Sequence, residues 1–478
     1  MNIAEADGLP LFAASKKVYP QSVSGPFRRA KWTILILCLG VYYLLPFLRW
    51  DRGPNLPNQA VLADIAHNRF YFFFIEIWPQ EVYYFTGLLI LAAFILFLMN
   101  AVAGRLWCGY LCPQTVWTDL FLAVERAFEG DRRERMKRDE APWTAGTLLR
   151  KTGKHAVWLT IAWWTGGAWV LYFADAPTLV QQLATFTAPL AAYVSIAILT
   201  FTTYALAGIM REQVCNFMCP WPRIQAALTD DDALNVTYRY DRGEPRVSVK
   251  QAQRLRDQGA PAGDCIDCHQ CVAVCPTGID IRDGAQIDCI QCGLCIDACD
   301  NVMAKIGRPN RLIGYDTEAN VQRRLAGEKT VYRPIRARTL IYAALIVLVG
   351  GTMLYQLATR RTAEISVLHD RAPLFVKLSD GSIRNAYALR LLNKRPEARP
   401  FALTVAGIPG IRIEAVGAQA TADLRPIMTV EADTSREIRV LVTVPPDTHL
   451  DASQSITFTA SDLFAGEIVR AQDHFIAP

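Results

Sequence analysis

Eight of the chain's thirteen cysteines lie between Cys265 and Cys299, and their spacing carries the most definite chemistry in the sequence. Cys265, Cys268 and Cys271 follow C-x2-C-x2-C, with Cys275 and Pro276 after three further residues. Cys289, Cys292, Cys295 and Cys299 repeat that spacing. Three thiolates this close wrap one cubane, and in two-cluster ferredoxins the fourth cysteine of each run crosses to the other run's cluster. The pattern predicts two 4Fe–4S clusters. Cys265, Cys268, Cys271 and Cys299 hold the first, and Cys289, Cys292, Cys295 and Cys275 the second. Zinc is the ordinary reading of a cysteine pair, but eight cysteines at doubled spacing favour clusters. Asp300 stands where a proline would follow Cys299, which keeps the ligand set and removes a rigid turn. Between the runs, Ile279, Asp280 and Ile281 alternate, Asp283-Gly284 offers a turn and Gln286-Ile287 returns, predicting a hairpin. His269, inside the first run, reads as an ordinary surface residue.

Four more cysteines form two pairs, Cys108 with Cys112 and Cys215 with Cys219, each spaced C-x3-C and followed by proline. Both pairs follow an apolar run, which suggests a parallel internal duplication. Cysteines four apart share a helix face, so the two pairs are expected to bring four thiols together at a membrane edge. Four soft sulfurs suit Cu(I) or another thiophilic centre, and a reversible disulfide is the alternative. Cys38 stands alone and reads as a packing residue. No cysteine follows Cys299. This clustering points to metal ligation in a reducing compartment rather than to a secreted disulfide framework.

The elements that must position these cysteines are largely apolar. Hydrophobic residues make up 52% of 478, and the net charge of +5 is too weak to suggest nucleic acid as a partner. Five runs are long and apolar enough to cross about 30 Å of hydrocarbon: 32–48, 82–103, 156–174, 189–210 and 339–359. Basic residues cluster before the first run (Arg28, Arg29, Lys31), between the second and third (Arg132 to Lys154) and before the fifth (Arg333, Arg336, Arg338). By the positive-inside rule these regions are cytoplasmic; Arg360 and Arg361 are the exceptions. The N-terminus lacks the apolar core and cleavage site of a signal peptide. Val116, Trp117, Leu120, Phe121, Val124 and Phe128 recur at helical spacing beside the basic run, which suits an amphipathic helix on an anionic leaflet or one packed on the bundle. The aromatic stretch 70–78 suits the outer interface. Alternating segments such as 437–442 and 455–459, separated by Gly, Pro and Asp, predict strands of a C-terminal β-sandwich.

Three stretches carry a family resemblance. Trp50-Asp51-Arg52-Gly53-Pro54, the run from Arg69 to Glu81, and Cys108-Gly109-Tyr110 through Cys112-Pro113-Gln114-Thr115-Val116-Trp117 resemble the CcoG/FixG (RdxA) family of cytochrome c oxidase accessory proteins. The doubled ferredoxin motif and the second Cys-Pro motif follow in the same order. The resemblance implies a bacterial inner-membrane protein that reduces Cu(II) to Cu(I) for assembly of a cbb-type haem–copper oxidase. It also implies an extracytoplasmic immunoglobulin-like domain.

The fold expected is a multi-domain membrane protein: a five-helix transmembrane bundle, an α+β two-cluster ferredoxin-like insert and an all-β immunoglobulin-like domain. Its parts are a cytoplasmic segment (1–31), four spans with the two Cys-x3-Cys-Pro motifs (32–220), the cytoplasmic ferredoxin-like domain (221–338), the fifth span (339–359) and a periplasmic domain (360–478). Expected partners are the bilayer, copper ions, copper-handling and oxidase assembly proteins, and an electron donor the sequence does not identify. Copper, as substrate or bound ion, is placed at Cys108, Cys112, Cys215 and Cys219. Two other functions fit the same motifs. One is a quinol-oxidising conduit to a periplasmic reductase, similar to NapH or NosR; the other is a non-enzymatic scaffold for oxidase assembly.

Overall fold

The computed structural model describes residues 17–53, 56–395, 397–420 and 425–478. Most of the N-terminal segment, 1–16, therefore lies outside the described residues, as does Pro54. The chain divides into two compact units, one of 1–50 with 59–353 and the other of 51–58 with 354–478.

In the first unit, α1 (Pro26–Leu44) is followed by a three-stranded antiparallel sheet of β1 (Val61–Asp64), β2 (Arg69–Phe72) and β3 (Ile75–Ile77). Then come α2 (Tyr83–Ala103), α3 (Pro113–Glu129), α4 (Arg132–Glu140), α5 (Ala145–Val170), α6 (Ala176–Ala184) and α7 (Leu190–Thr203). Among the described residues, four helical segments are long and apolar enough to span a bilayer: Pro26–Phe47, Pro79–Ala103, Leu190–Met210 and Ala337–Ala358. They match four of the five expected runs. The remaining run, 156–174, falls on α5, which is 26 residues long but does not meet that measure of apolarity. Its first half is basic, and its second is diluted by Thr160, Thr165, Gly166 and Gly167.

Helix α3 forms where expected and takes the second of the two expected seats, packed inside the protein. Val116 is 4% exposed and Phe121 is fully covered, stacked on Trp158 of α5 with ring centroids 5.3 Å apart. Its acidic residues are buried too. Asp119 meets Arg28 at 3.0 Å and Lys31 at 3.1 Å, while Glu129 meets Lys154 at 2.8 Å. A helix whose buried face carries carboxylates needs cations on its neighbours, which α1 and α5 supply.

The ferredoxin-like region contains α8 (Trp221–Leu228), β4 (Asn235–Tyr238), α9 (Tyr240–Gly243), α10 (Val249–Asp257), α11 (Gln270–Ala273), α12 (Leu294–Lys305), β5 (Ile313–Asp316) and α13 (Glu318–Leu325). Strands β4 and β5 pair antiparallel, Asn235 opposite Asp316 and Tyr238 opposite Ile313. The expected hairpin across 279–287 does not form. Asp280 caps a 3-10 turn at Ile281–Asp283, accepting from Arg282 N at 3.0 Å, and its carbonyl is taken by the Gln286 side chain. Side-chain capping here outcompetes a strand ladder. After this region comes the membrane-length helix α14 (Ala337–Ala358).

The second unit is an antiparallel two-sheet sandwich of β6 (Ala363–His369), β7 (Val376–Lys377), β8 (Ile383–Asn393), β9 (Arg399–Ala406), β10 (Arg412–Ala415), β11 (Gln419–Ala420), β12 (Pro426–Val430), β13 (Thr434–Val444), β14 (Ser453–Asp462) and β15 (Ile468–Ile476). One sheet runs β10-β13-β8-β6, with β7 also on β8; the other runs β11-β12-β9-β14-β15. The alternation read from the sequence is the burial pattern: Ile438, Val440 and Val442 of β13 and Ile456 and Phe458 of β14 face a common core with Leu389, Leu391 and Phe401. Two inward faces meeting in this way are what make a sandwich of this size stable.

Candidate iron–sulfur and thiol site

The eight ferredoxin cysteines surround two voids. One is lined by Cys265, Cys268, Cys271 and Cys299. The other is lined by Cys275, Cys289, Cys292 and Cys295, with Cys271 at the shared wall. The crossed sets are thus brought together. Helix α12 accounts for the crossing: Cys295 and Cys299, one turn apart, reach different voids. The backbone repeats as the cysteines do. Asp267 and His269 flank Cys268 with φ of 55° and 52°, and Gln291 and Gly293 flank Cys292 with φ of 55° and 73°. Alternating left-handed residues curl each loop around its void. No carboxylate lines either void; the walls are cysteines and apolar groups such as Ile281 and Met303, joined by His269 and Arg282 at the first void and by Thr277 and Gln291 at the second. This donor set suits a cluster and not a hard cation. His269 is exposed, as expected, with its ring nitrogen 2.7 Å from the Arg282 guanidinium. Asp300, in the place of a proline, accepts from Arg311 N at 2.7 Å.

The two Cys-x3-Cys-Pro motifs share one architecture, and it is not the single helix face that their spacing suggested. Helix α2 ends at Gly104 with φ 55°, and the segment after α7 ends at Arg211 with φ 47°. Each is followed by a π-helical turn, Trp107–Leu111 or Val214–Met218. Cys112 N then donates to Trp107 O at 2.9 Å and Cys219 N to Val214 O at 2.8 Å. The second cysteine of each pair is extended, with ψ of 128° and 122°. The proline after it excludes the α conformation. So the first sulfur of each pair sits in a wide turn and the second at the start of the next segment.

These turns bring the four thiols into one neighbourhood. Burial, together with the neighbouring Cys112, Cys215 and Cys219, pushes the Cys108 thiol up to about 12. Cys215, likewise pushed up to about 12 by burial, feels Cys112 and Cys219. Among the described residues, however, no group of three or more His, Cys, Asp or Glu side chains is gathered closely enough to hold a single ion. The four sulfurs are neighbours that must close in to share one.

The first thiol turn docks on the loop of the second cluster set. Gly109 lies so close that an added Cβ would sit 2.8 Å from Ile290 O and 3.1 Å from Cys292 Cα. Tyr110 donates its hydroxyl to Cys292 O at 3.0 Å, and Arg105 N donates to Gln291 Oε1 at 2.7 Å. The Arg105 guanidinium reaches the carbonyls of Cys289 at 3.3 Å and Pro222 at 2.9 Å. Cys108 itself packs on the apolar group of Val274, Ile290, Cys292, Leu294 and Ala298. On the other side, Asp297 of α12 caps α1, accepting from Phe27 N at 3.2 Å and Arg28 N at 2.8 Å. A carboxylate there also suits the helix dipole. Sequence reading gave no role to Asp297, Arg105 or Tyr110. Asp297 is hidden among the spacer residues of a cysteine run, and only its position within one could have drawn notice.

Comparison with known proteins agrees with this architecture. The chain is 46% identical to the nitrogen fixation protein FixG of Rhizobium meliloti, over all of this chain and 96% of that one. It belongs to the FixG/RdxA family. Protein RdxA of Cereibacter sphaeroides is 52% identical over 84% of this chain and 85% of its own length, and protein RdxB of the same organism is 48% identical over 96% of each. Family models match in three places: a 4Fe-4S dicluster domain at 210–318, a 4Fe-4S binding domain at 85–129 and the IG-like fold at the C-terminal of FixG at 353–478. The chain is therefore an iron–sulfur redox protein with an immunoglobulin-like C-terminal domain, and its apolar helices make it a membrane protein of this family.

Proposed function

We propose that this FixG/RdxA-family protein reduces Cu(II) to Cu(I) at the thiols of Cys108, Cys112, Cys215 and Cys219, and so supports copper delivery to a cbb-type oxidase and the oxidase's assembly. The observation that carries the reading is the docking of the Trp107–Leu111 turn on the 289–292 loop, which sets Cys108 against the second cluster's ligands. Bound at their cysteines, 4Fe–4S clusters supply single electrons. Cu(II) needs one electron to become Cu(I), and soft thiolates favour the product. Tyr110 and Arg105 hold the turn in place, while Asp297 fixes α1 beside it. Copper handling and oxidase assembly proteins are the partners this activity calls for. Anaerobic reduction of Cu(II) by the purified protein, read with a Cu(I)-specific chelator, tests the activity. Copper-dependent oxidation of the reduced protein supports it, and indifference to copper overturns it.

In the same reading the N-terminus and the ferredoxin-like region are cytoplasmic and the sandwich is periplasmic. Helices α2 and α7 both end at the four thiols, so they run in the same direction and the chain must return between them. Helix α5, at 26 residues or about 39 Å, is long enough to be that fifth crossing. A reporter active only in the cytoplasm is expected to work when inserted at Ala260, and one active only outside when fused after Pro478. The reverse pattern, Ala260 outside and Pro478 inside, would remove the crossing by α5, and the same compartment at both sites would remove the crossing by α14.

Gly109 provides a second check. Gly109→Ala places a methyl against backbone atoms that cannot step aside. The turn is expected to lift at a cost of about 1–3 kcal/mol. Copper reduction should slow while iron content stays unchanged, and an unaltered rate would show that this contact is not part of the route.

A second reading has one specific observation in its favour. The 4Fe-4S binding domain model covers Cys108 and Cys112, so the four thiols could hold iron–sulfur chemistry and pass electrons from quinol instead of to copper. Loss of iron when the pairs are replaced would favour it.

A further inference from the structure

The turn between β14 and β15 in the C-terminal sandwich is apolar where such turns are ordinarily built from Gly, Asn, Asp or Ser. Leu463 is 52% exposed, Phe464 72% and Ile468 50%. The display is not a loose loop. Asp462, itself 4% exposed, accepts from Phe464 N at 2.7 Å and Ala465 N at 3.0 Å. Gly466 N returns to Asp462 O at 3.0 Å, with the glycine at φ 69°, and Leu463 N is held by Pro400 O at 3.0 Å. A buried carboxylate and four hydrogen bonds are spent on presenting two large apolar side chains to the outside.

The turn lies at the end of the sandwich where α14 enters. Glu467 accepts from Thr362 N at 3.0 Å and from the Thr362 hydroxyl. Thr362 is four residues beyond Ala358, the last residue of α14, a distance the chain can span in at most about 14 Å. Arginines surround the tip. The Arg399 guanidinium lies 5.7 Å from the centre of the Phe464 ring, Arg395 approaches Glu467 at 3.8 Å, and Arg361 is exposed. An aromatic tip flanked by arginines, beside the end of a membrane-length helix, has the composition of a bilayer interface.

We propose that the Leu463-Phe464 turn inserts into the interfacial layer of the bilayer crossed by α14, so that the sandwich is held to the membrane at a second point. The proposal rests on α14 crossing the membrane and is independent of copper chemistry. It commits to lipid as the occupant.

The test places the photo-crosslinking residue p-benzoylphenylalanine at single positions of the full chain, reconstituted in vesicles of phosphatidylcholine and phosphatidylglycerol. At position 464 irradiation is expected to give lipid adducts by mass spectrometry. At Val376, 44% exposed at the opposite end of the sandwich, it is expected to give none. At Leu348, 64% exposed within α14, it must give lipid adducts; if it does not, the crossing itself fails and the anchor with it. With Leu348 labelled, absence of lipid adducts at 464, equal labelling at 376, or adducts to protein at 464 would each overturn the proposal. Protein adducts would assign the turn to a partner or to a second copy.

Discussion

Replacing Cys299 with serine is expected to cost the chain the cluster built by the other cysteine run. Iron should fall from about eight to about four atoms per chain, and the surviving signal should belong to the set of Cys289, Cys292, Cys295 and Cys275. The reason is the geometry of α12, where Cys295 and Cys299 sit one turn apart yet line different voids. Cys299 shares its void with Cys265, Cys268 and Cys271. Iron analysis together with electron paramagnetic resonance of the reduced variant makes the distinction. Loss of the signal from the Cys289 run, with the Cys265 run intact, would contradict the crossed arrangement.

The largest effect on stability is expected at Glu125. Its carboxylate is 1% exposed and meets three cations: Arg135 at 2.7 Å, Arg211 at 2.9 Å and Lys154 at 3.5 Å. Burial alone would raise its pKa, but the three cations, Arg211 foremost, hold it down at about 2. Glu125→Ala leaves those charges buried without their shared partner, which costs about 3–5 kcal/mol by comparison with other broken buried pairs. Arg211 is also the left-handed residue that starts the second thiol turn, so the damage should reach Cys215 and Cys219. The pH dependence follows from the sign of the shift. A depressed carboxyl stabilises the fold fully above its ordinary value of 4.5, and that contribution is lost as pH falls through about 2. The difference in unfolding temperature between wild type and Glu125→Gln should therefore be constant near neutrality and shrink in acid. A difference that is absent at neutral pH would mean the cluster of charges is not holding α3.

What could be read from the sequence follows from the range of the interactions concerned. The cysteine runs were legible because ligand spacing is local: three residues of chain decide whether a loop can curl around a cluster, and the alternating left-handed residues at 267, 269, 291 and 293 are that curl. The sandwich strands were legible because the alternation of Ile438, Val440 and Val442 is itself the burial pattern. The π-helical turns were not. A C-x3-C spacing fits one helix face, and only the proline after Cys112 and Cys219 signals that the second cysteine must leave the helix. The seating of α3 was ambiguous because amphipathic spacing does not say whether protein or lipid covers the apolar face; Asp119, Glu125 and Glu129 decide it through cations far away in sequence. The hairpin expected at 279–287 failed where a single side chain, Asp280, captured the backbone first. Asp297 and Tyr110, which join the ferredoxin-like region to the thiol turn, act on backbone atoms 270 and 182 positions away. No local pattern records such a contact.

In the proposed function, Cys108, Cys112, Cys215 and Cys219 act as one copper site fed from the neighbouring clusters. The measurement that bears on it most directly is anaerobic copper titration of the purified protein beside two variants, Cys108→Ser with Cys112→Ser, and Cys215→Ser with Cys219→Ser, with iron determined on each sample. Either double substitution is expected to remove most of the copper binding and most of the Cu(II) reduction while iron stays at the wild-type level. Half of the copper lost in each variant would mean two separate sites. Unchanged copper binding, or loss of iron together with copper, would contradict a shared copper site at these thiols.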